Sequence, residues 1–421
     1  MRKNASVTTA PDNRTTRIET SVDTRFDDEI TFLRALVATP SDNPPGNCAP
    51  IAEVAKTELE RRGFNVEAHT VPSETVEAFG MIAATNLIVR RRFGNGPVIA
   101  LNAHGDVVPP GSGWTFDPFA GEIQDGKMYG RGVAVSKSDF ATYAFALLAL
   151  EDIADDLSGT VELHLTFDEE IGGLIGPKWL LEQGLVKPDL CISAGFSYSI
   201  VTAHNGCLHL VTTIKGKSAH AAAPETGYDA LEACNQILSA LYAERKHYKD
   251  RVSATPGIGH PNMTVGLISG GINTNVVPDQ VTIRIDRRMT PEEDPIDVED
   301  HLRELIELAI DNLPGISVEF ERVLQASPLK ELPGSERLSN PIREHAERLL
   351  GVEVPTMGVP LYTDARLYSD VGIPTISYGA GPRTFLEANG HRADENLVVA
   401  DLNAATKIVA CALADILSTD G

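Results

Sequence analysis

His104 and Asp106 could take part in metal chemistry, because they follow an apolar run at 98–103. Such a run is typical of a buried parallel strand, and open α/β sheets carry their sites at the carboxyl ends of those strands. The histidine could ligate a metal through one ring nitrogen while the aspartate orients the other. Taken alone the triplet is weak, since most His-x-Asp sequences in enzymes lie in solvated loops.

A second acidic group, Asp168, Glu169 and Glu170, ends another apolar segment and precedes two glycines. Adjacent side chains on an extended segment point in opposite directions. We therefore expect Glu169 and Glu170 to serve two roles, one on a metal and one on a water molecule. The alternative is an acidic turn that caps the next helix.

A third element is His391, which lies in the polar, glycine-led sequence GHRADEN before an apolar C-terminal segment. A single loop histidine is usually exposed and without function. It indicates a site only in combination with the other two groups.

The composition limits the partners of these residues. The 421 residues include 36 basic and 59 acidic side chains, a net charge of -23 that repels nucleic acid and anionic membrane surfaces. No apolar run reaches the length of a bilayer helix, and the first residues lack the apolar core of a signal peptide. We expect a cytoplasmic protein with no nucleic-acid or membrane partner. The five cysteines have no paired spacing and are expected to be buried thiols.

Strands and helices alternate through the first half of the chain, which favours an α/β fold with a mostly parallel central sheet. We expect a disordered start through residue 25, followed by helices at 26–37, 49–62 and 139–153 and a strand from 161. The segments on either side of Asn95-Gly96 are predicted to form a hairpin.

The pattern changes near residue 206, where alternating strands and helices predict a compact α+β unit inserted at 206–322. Its strands are expected near 262–268, 280–287 and 316–322, and its helices near 229–246 and 291–313. The catalytic domain would then comprise 26–205 and 323–421.

Taken together, the motifs resemble the co-catalytic metal amidohydrolases, the family of aminoacylase, carboxypeptidase G, acetylornithine deacetylase and succinyl-diaminopimelate desuccinylase. The resemblance covers nearly all of the chain after residue 25 and implies a catalytic domain with an inserted lid or dimerisation domain. It rests on HGD at 104–106, the tract ending in GRG at 130–132, DEE at 168–170, GKSAHAAAP at 216–224, INTNVVPD at 272–279, RRMTP at 287–291, TDAR at 363–366 and HRADEN at 391–396.

The resemblance implies a role for each residue of the three groups. His104, Glu170 and His391 match metal ligands, Asp106 matches the acid that orients His104, and Glu169 matches the general base. A carboxylate in that position can take a proton from water and pass it to a departing nitrogen.

Further residues match the family's substrate pocket. His220 corresponds to a histidine that reaches the partner subunit's site in a dimer and stabilises an oxyanion. Asn275 and Arg288 match residues that bind a substrate carboxylate, for which the planar guanidinium is suited. Thr363 and Arg366 line the same pocket in the family, although Arg366 could equally be a structural ion-pair partner. We expect a homodimer or higher homo-oligomer and a small carboxylate-bearing substrate.

The chain departs from the family at two metal ligands. The acid shared by two metals after GRG is replaced by Val135, and a second acid, expected near Ala194 and Gly195, has no acidic counterpart anywhere in 192–200. Three ligands with open positions suit one catalytic ion. We expect a single labile Zn, Mn, Co or Fe ion and no organic cofactor. Asp106, Ser136 or Asp139 could approach this ion.

These features predict a metal-dependent hydrolase of a C–N bond. The altered ligand set is most similar to that of aminohydrolases that replace an aromatic amine by hydroxyl, and a conventional N-acyl amino acid deacylase or dipeptidase is the alternative. A carboxylate-binding protein without catalysis is a second alternative.

Overall fold

The computed structural model describes residues 13–384 and 386–419, which form two compact units. The first unit contains the chain up to Thr202 together with Glu331–Met357 and the segment from Thr363 onward, and the second contains Ala203–Lys330 and Gly358–Tyr362. The sequence placed the insertion at 206–322. The second unit begins earlier and ends later because its backbone also pairs at His204 and Leu329.

An eight-stranded sheet carries the site. Its four central strands are parallel, and the flanking pairs include antiparallel ones. This mixed sheet with helices confirms the predicted α/β class. In spatial order the strands are Val66–Thr70, Thr85–Arg92, Thr160–Thr166, Val98–His104, Leu190–Ser193, Thr375–Ser377, Ile200–His204 and Thr356–Val359.

The strand Val98–His104 is buried on both faces because helices pack on each side of the sheet. Leu101 belongs to a large core with the helices Lys137–Glu151 and Val399–Ile416, whereas its neighbour Ala100 packs with Tyr368 on the opposite side. Alternation of side chains across the strand produces this division. It explains why the sequence reads as a continuous apolar run that ends at the site.

The predicted hairpin at Asn95-Gly96 is wrong. The strand Thr160–Thr166 lies between Thr85–Arg92 and Val98–His104, antiparallel to the first and parallel to the second. The connection therefore joins two strands that do not pair. A strand from later in the chain is buried on both faces in this central position, which a local turn signal cannot indicate.

The prediction of disorder through residue 25 is also wrong for the described part, since the first helix is Asn13–Val37. Ile18 and Val22 are buried one helical turn apart and pack in the main core. Arg25 forms an ion pair with Asp152, 2.8 Å between Nη1 and Oδ2. Few apolar residues suffice to anchor this polar helix, so its composition resembled a disordered segment. Residues 1–12 lie outside the described residues.

The remaining helices of the first unit follow the predicted positions closely where predictions were made. None of the helices in residues 13–384 and 386–419 is long and apolar enough to cross a membrane. After Asn13–Val37, the helices of the first unit are Ala49–Arg61, Ser73–Ala78, Lys137–Glu151, Pro177–Glu182, Glu336–Leu350, Ala365–Ser369 and Val399–Ile416.

The second unit is a four-stranded antiparallel sheet with two helices. In spatial order its strands are Asn262–Gly270, Gln280–Met289, Gly206–Lys215 and Ser317–Ala326. The helices Ala230–Tyr248 and Pro295–Ile310 pack their apolar faces on one side of this sheet. Asp229 and Asp294 cap the two helices by accepting hydrogen bonds from backbone amides of the first turn.

Buried Glu29 in the first helix provides a test of the packing. Burial raises the pKa of Glu29 to about 8, although a hydrogen bond from Thr406 (2.6 Å) opposes the shift. The unfolded carboxyl titrates near 4.5, so between these values only the folded state holds the proton. The free energy of unfolding therefore falls as pH rises through this window, by about 1.4 kcal/mol per unit.

We expect Glu29→Gln, which imitates the neutral carboxyl, to lose most of this pH dependence and to exceed the wild type in stability above pH 7. Urea unfolding at several pH values would measure the effect. Glu182→Gln, at an exposed site on the helix Pro177–Glu182, is the matched control and should follow the wild type. Equal slopes for wild type and Glu29→Gln would contradict a buried proton on Glu29.

Candidate metal centre

His104 ends its strand buried, with 5% of its surface exposed. Its Nδ1 lies 3.0 Å from the backbone oxygen of Asp106 and 3.3 Å from the Asp106 carboxylate. Ser136 fixes the backbone of His104, since the serine hydroxyl donates to its carbonyl and accepts from its amide. These contacts orient the imidazole so that Nε2 faces the acidic pair, 3.9 Å from Oε2 of Glu169.

Asp106 links the histidine to the acidic turn. Its fully buried carboxylate accepts hydrogen bonds from the amides of Glu169 and Glu170, both at 3.2 Å, and from Asn43 at 2.9 Å. With His104 on the same carboxylate, little capacity remains for a metal ion. This geometry supports the predicted orienting role.

Glu169 and Glu170 do not lie on an extended segment, as the sequence analysis assumed, but in the 3₁₀ turn Glu169–Ile171. Successive side chains of such a turn diverge by about 120° rather than pointing in opposite directions. Both carboxylates therefore stay on the side of His104, and one atom from each of the three residues lies within 4.8 Å of the others.

His391 joins this group through Glu170, with 3.5 Å between His391 Nε2 and Glu170 Oε1. Its backbone is left-handed, with φ of 61°. The loop is held by Glu395, whose buried carboxylate pairs with Arg131 and accepts from the amides of Gly132 and Ala134. The loop after GRG and the His391 loop are thus joined at one carboxylate.

The electrostatics of the group favour a divalent cation. Burial lowers the pKa of His104, but the charge of Glu169 and the hydrogen bond and charge of Asp106 outweigh it and raise the pKa well above its usual value. Burial and the neighbouring Glu170 raise the pKa of Glu169. One imidazole and several carboxylates in a buried space are a hard and borderline donor set that suits Mn, Fe, Co or Zn.

The sequence did not single out Asp364, which lies in the chain between the two predicted pocket residues Thr363 and Arg366. The carboxylate is buried, and burial raises its pKa to about 7 against the opposing charges of His104 and Arg366. The carboxylate lies close to the acidic turn, because its Oδ1 packs against Gly173. The TDAR motif contained it, but its position beside the ligands is decided by folding.

The two predicted pocket residues beside Asp364 have structural contacts. The buried guanidinium of Arg366 donates to the carbonyl of Gly172, next to the acidic turn. Thr363 accepts a hydrogen bond from the amide of Ala365 at 3.3 Å. The substrate-binding roles of both residues, and the alternative of an ion-pair partner for Arg366, stay predictions.

Gly173 allows Asp364 to approach the acidic turn. Its φ is +71°, and an added Cβ would lie 2.1 Å from Oδ1 of Asp364. Gly184 has a similar φ of +65°, and a Cβ added there would meet no atom within 4 Å. Gly184→Ala therefore measures the cost of the backbone conformation alone. We expect Gly184→Ala to lower the free energy of unfolding by about 1–2 kcal/mol and Gly173→Ala to lower it further.

Only Gly173→Ala should also reduce turnover, because it displaces Asp364. Urea unfolding and steady-state rates of both variants would check this. If both variants lose the same free energy of unfolding, Asp364 can move away from the added Cβ without a further loss of stability.

Ser136 and Asp139, which were suggested as substitutes for the lost bridging acid, form hydrogen bonds with backbone groups instead. Ser136 binds the backbone of His104, and Oδ1 of Asp139 accepts from the amide of Ala380 at 2.7 Å. Burial raises the pKa of Asp139 to about 7. No acid replaces Val135 in the group of His104, Glu169 and Glu170 among the residues that the structure describes.

The other predicted substrate residues lie in the second unit. His220 is exposed on the two-residue strand Ala219–His220, and Asn275 immediately precedes the paired strand Val276–Val277. Arg288 is half-buried and pairs with Asp286 through two contacts of 2.9 and 3.1 Å. Their roles toward substrate and partner stay predictions.

The chain is similar to known proteins over most of its length. Residues 100–415 match the model of peptidase family M20/M25/M40. Acetylornithine deacetylase of Proteus mirabilis (strain HI4320) is 30% identical over 363 residues, 84% of this chain and 88% of the relative. Succinyl-diaminopimelate desuccinylase of Rhodospirillum centenum (strain ATCC 51521 / SW) is 28% identical over 401 residues, 90% of this chain and 95% of the relative.

Solved structures of the same family share the fold of this chain. The crystal structure of the M20 family metallo-carboxypeptidase Sso-CP2 from Sulfolobus solfataricus superposes with a TM-score of 0.72 at 20% identity, covering 92% of this chain and 98% of that one. The chain belongs to peptidase family M20/M25/M40. It is a metal-dependent hydrolase of that family, which confirms the predicted enzyme class and excludes the reading as a binding protein without catalysis.

Proposed function

We propose that the protein hydrolyses a C–N bond in a small carboxylate-bearing substrate whose amine is attached to an aromatic ring, with one divalent metal ion per site. The most specific form of this proposal is 5-nitroanthranilate converted to 5-nitrosalicylate and ammonia. The observation that carries it is Val135 in place of the bridging acid, together with the retained group of His104, Glu169 and Glu170.

The proposed metal ligands are His104, Glu170 and His391. The bound ion would supply Lewis acidity, which makes water more acidic and stabilises negative charge. Glu169 accepts a proton from the attacking water as oxygen bonds to the ring carbon. Glu169 then returns this proton to the departing nitrogen, so that the C–N bond breaks to release ammonia. Asp106 keeps His104 and the Glu169 amide in place throughout.

The substrate carboxylate is assigned to Arg288 and Asn275. A guanidinium can bind both carboxylate oxygens. Thr363 and Arg366 are proposed as further substrate-binding residues. We propose that the enzyme is a homodimer or higher homo-oligomer in which His220 supports developing charge in the partner's site.

A deacylase of N-acyl amino acids is the second candidate. The identity with an acetylornithine deacetylase over most of both chains favours it. The same base would then deliver its proton to an amide nitrogen. Cleavage of an acyl amide would need no ring to accept charge.

One activity screen separates the two candidates. The purified protein, reloaded with Mn, Zn, Co or Fe, would be offered aminobenzoates including 5-nitroanthranilate, N-acyl amino acids and dipeptides. Formation of a phenolic product with equimolar ammonia supports the aromatic reaction. Turnover of N-acyl amino acids or dipeptides alone would replace it by the second candidate, and failure of every substrate with every ion would refute both.

Metal dependence provides a separate prediction. We expect chelation to abolish turnover and reactivation to follow a single hyperbola, because one ion restores each site. Val135→Asp should slow the loss of activity in chelator about tenfold or more, since a further carboxylate can ligate. Val135→Asn is the matched variant without charge and should not. Sigmoidal reactivation of the wild type would indicate two cooperating ions.

A further inference from the structure

We propose a second metal site, in the second unit, formed by Cys207, His209 and Asp286 and selective for a borderline divalent ion such as Zn²⁺. It shares no residue with the group at His104, and its test does not depend on the proposed reaction. One potential ligand atom from each of the three residues lies within 4.8 Å of the others.

The strand register brings the three residues together. Cys207 and His209 are two positions apart on the strand Gly206–Lys215, so their side chains share one face. Asp286, on the antiparallel strand Gln280–Met289, lies directly opposite His209. The intervening Leu208 belongs to the apolar core with the helices, so the three polar side chains occupy the face away from that core.

The contacts already bring the donors near the geometry of a metal site. His209 Nε2 lies 3.0 Å from Asp286 Oδ2, and Sγ of Cys207 lies within 4.8 Å of a ligand atom of each of these residues. Ligands around a tetrahedral zinc ion are separated by about 3.3–3.6 Å, given its usual bond lengths. Small side-chain adjustments would therefore admit an ion between the imidazole and the carboxylate.

The donor chemistry selects the ion. A thiolate, an imidazole and a carboxylate favour zinc or cobalt over calcium or magnesium, which prefer oxygen ligands. Thiolate and carboxylate together neutralise a divalent charge. Cys207 is fully buried, whereas His209 and Asp286 are partly exposed and provide a route for entry. The remaining coordination position would be open to water.

Arg288 supplies the outer layer of the site. It lies opposite Cys207 in the register and holds both oxygens of Asp286 by contacts of 2.9 and 3.1 Å. Hydrogen bonds of this kind orient a ligating carboxylate. An ion at Cys207 would consequently fix Asp286 and, through it, the guanidinium of Arg288.

The other four cysteines show no such combination. All five are buried, but among the described residues only Cys207 occurs in a group of potential metal ligands. Cys234, in the core of the same unit, is therefore a matched control.

Cobalt titration of the metal-free full chain tests the proposal. A thiolate bound to Co²⁺ has a ligand-to-metal charge-transfer band in the near ultraviolet, which carboxylate and imidazole ligands at the His104 centre cannot produce. We expect this band to saturate at one equivalent, with Zn²⁺ displacing it. Cys207→Ser should abolish the band and reduce bound metal by one equivalent, while Cys234→Ser should change neither.

A second variant covers the case in which Cys207→Ser fails to fold. His209→Ala alters a partly exposed side chain and should weaken cobalt binding at this band at least about tenfold. Absence of the band in the folded wild type, or a band that persists in Cys207→Ser or keeps its affinity in His209→Ala, would overturn the proposal. The assay needs no substrate, so loss of the proposed reaction would not affect its outcome.

Discussion

Glu169→Gln is expected to reduce kcat about 10²–10⁴-fold while the enzyme keeps its metal ion and its fold. The amide has nearly the shape of the carboxylate but cannot accept a proton from water. The hydrogen bond from the Glu169 backbone amide to Asp106 is unaffected by the change, so the acidic turn should stay in place. Steady-state rates, metal content and urea unfolding of the variant would be measured together.

Glu170→Gln is the matched control, since it makes the same chemical change at the next residue. Because Glu170 lies beside His391 and is the proposed ligand, this variant should lose metal affinity first and recover part of its turnover at high metal concentration. The reverse result, in which Glu169→Gln releases the ion and Glu170→Gln keeps it, would exchange the two roles. Undiminished turnover by Glu169→Gln would exclude it as the base.

Glu395→Gln is expected to lower the free energy of unfolding by about 3–5 kcal/mol, because it leaves Arg131 as an unpaired buried charge. Both residues have 1% of their surface exposed. The amide would also be a poorer acceptor for the amides of Gly132 and Ala134. As the loop of His391 loosens, the affinity for the active-site metal should fall as well.

Two further variants assign the cause. The exposed pair of Arg17 and Asp156 is a control, and Asp156→Asn should change stability by less than about 0.5 kcal/mol. Adding Arg131→Met to Glu395→Gln removes the unpaired charge and should restore part of the stability. If the double variant is as unstable as the sum of the single ones, Arg131 and Glu395 do not act as a pair. Urea unfolding and metal titration provide both readouts.

Much of the candidate site could be predicted from the sequence because its residues stand at or just after the ends of buried strands. His104 directly ends one such strand, and Glu169 follows another within a few residues. Apolar runs of this length identify buried parallel strands, whose carboxyl ends lie at one edge of a sheet. The alternation of elements likewise predicted the α/β class and the inserted α+β unit.

The errors came from interactions between distant residues. The helix at 13–25 is stabilised by packing and by contacts such as Arg25 with Asp152, and no local pattern shows these. Similarly, the turn signal at Asn95-Gly96 was outweighed by burial of the strand Thr160–Thr166 between its neighbours. The free energy that a local turn preference contributes is smaller than the free energy gained by burying a whole strand.

The sequence by itself determined which side chains are available for chemistry and that one bridging acid is missing at Val135. The tertiary structure alone decided that Glu169 and Glu170 both lie on the side of His104, because Asp106 binds their amides across 63 and 64 residues of chain. It likewise decided that Asp364 lies against Gly173 beside the acidic turn and that Cys207 lies beside Asp286. Side-chain identity is local, whereas proximity depends on strand register and on which buried carboxylates must find donors.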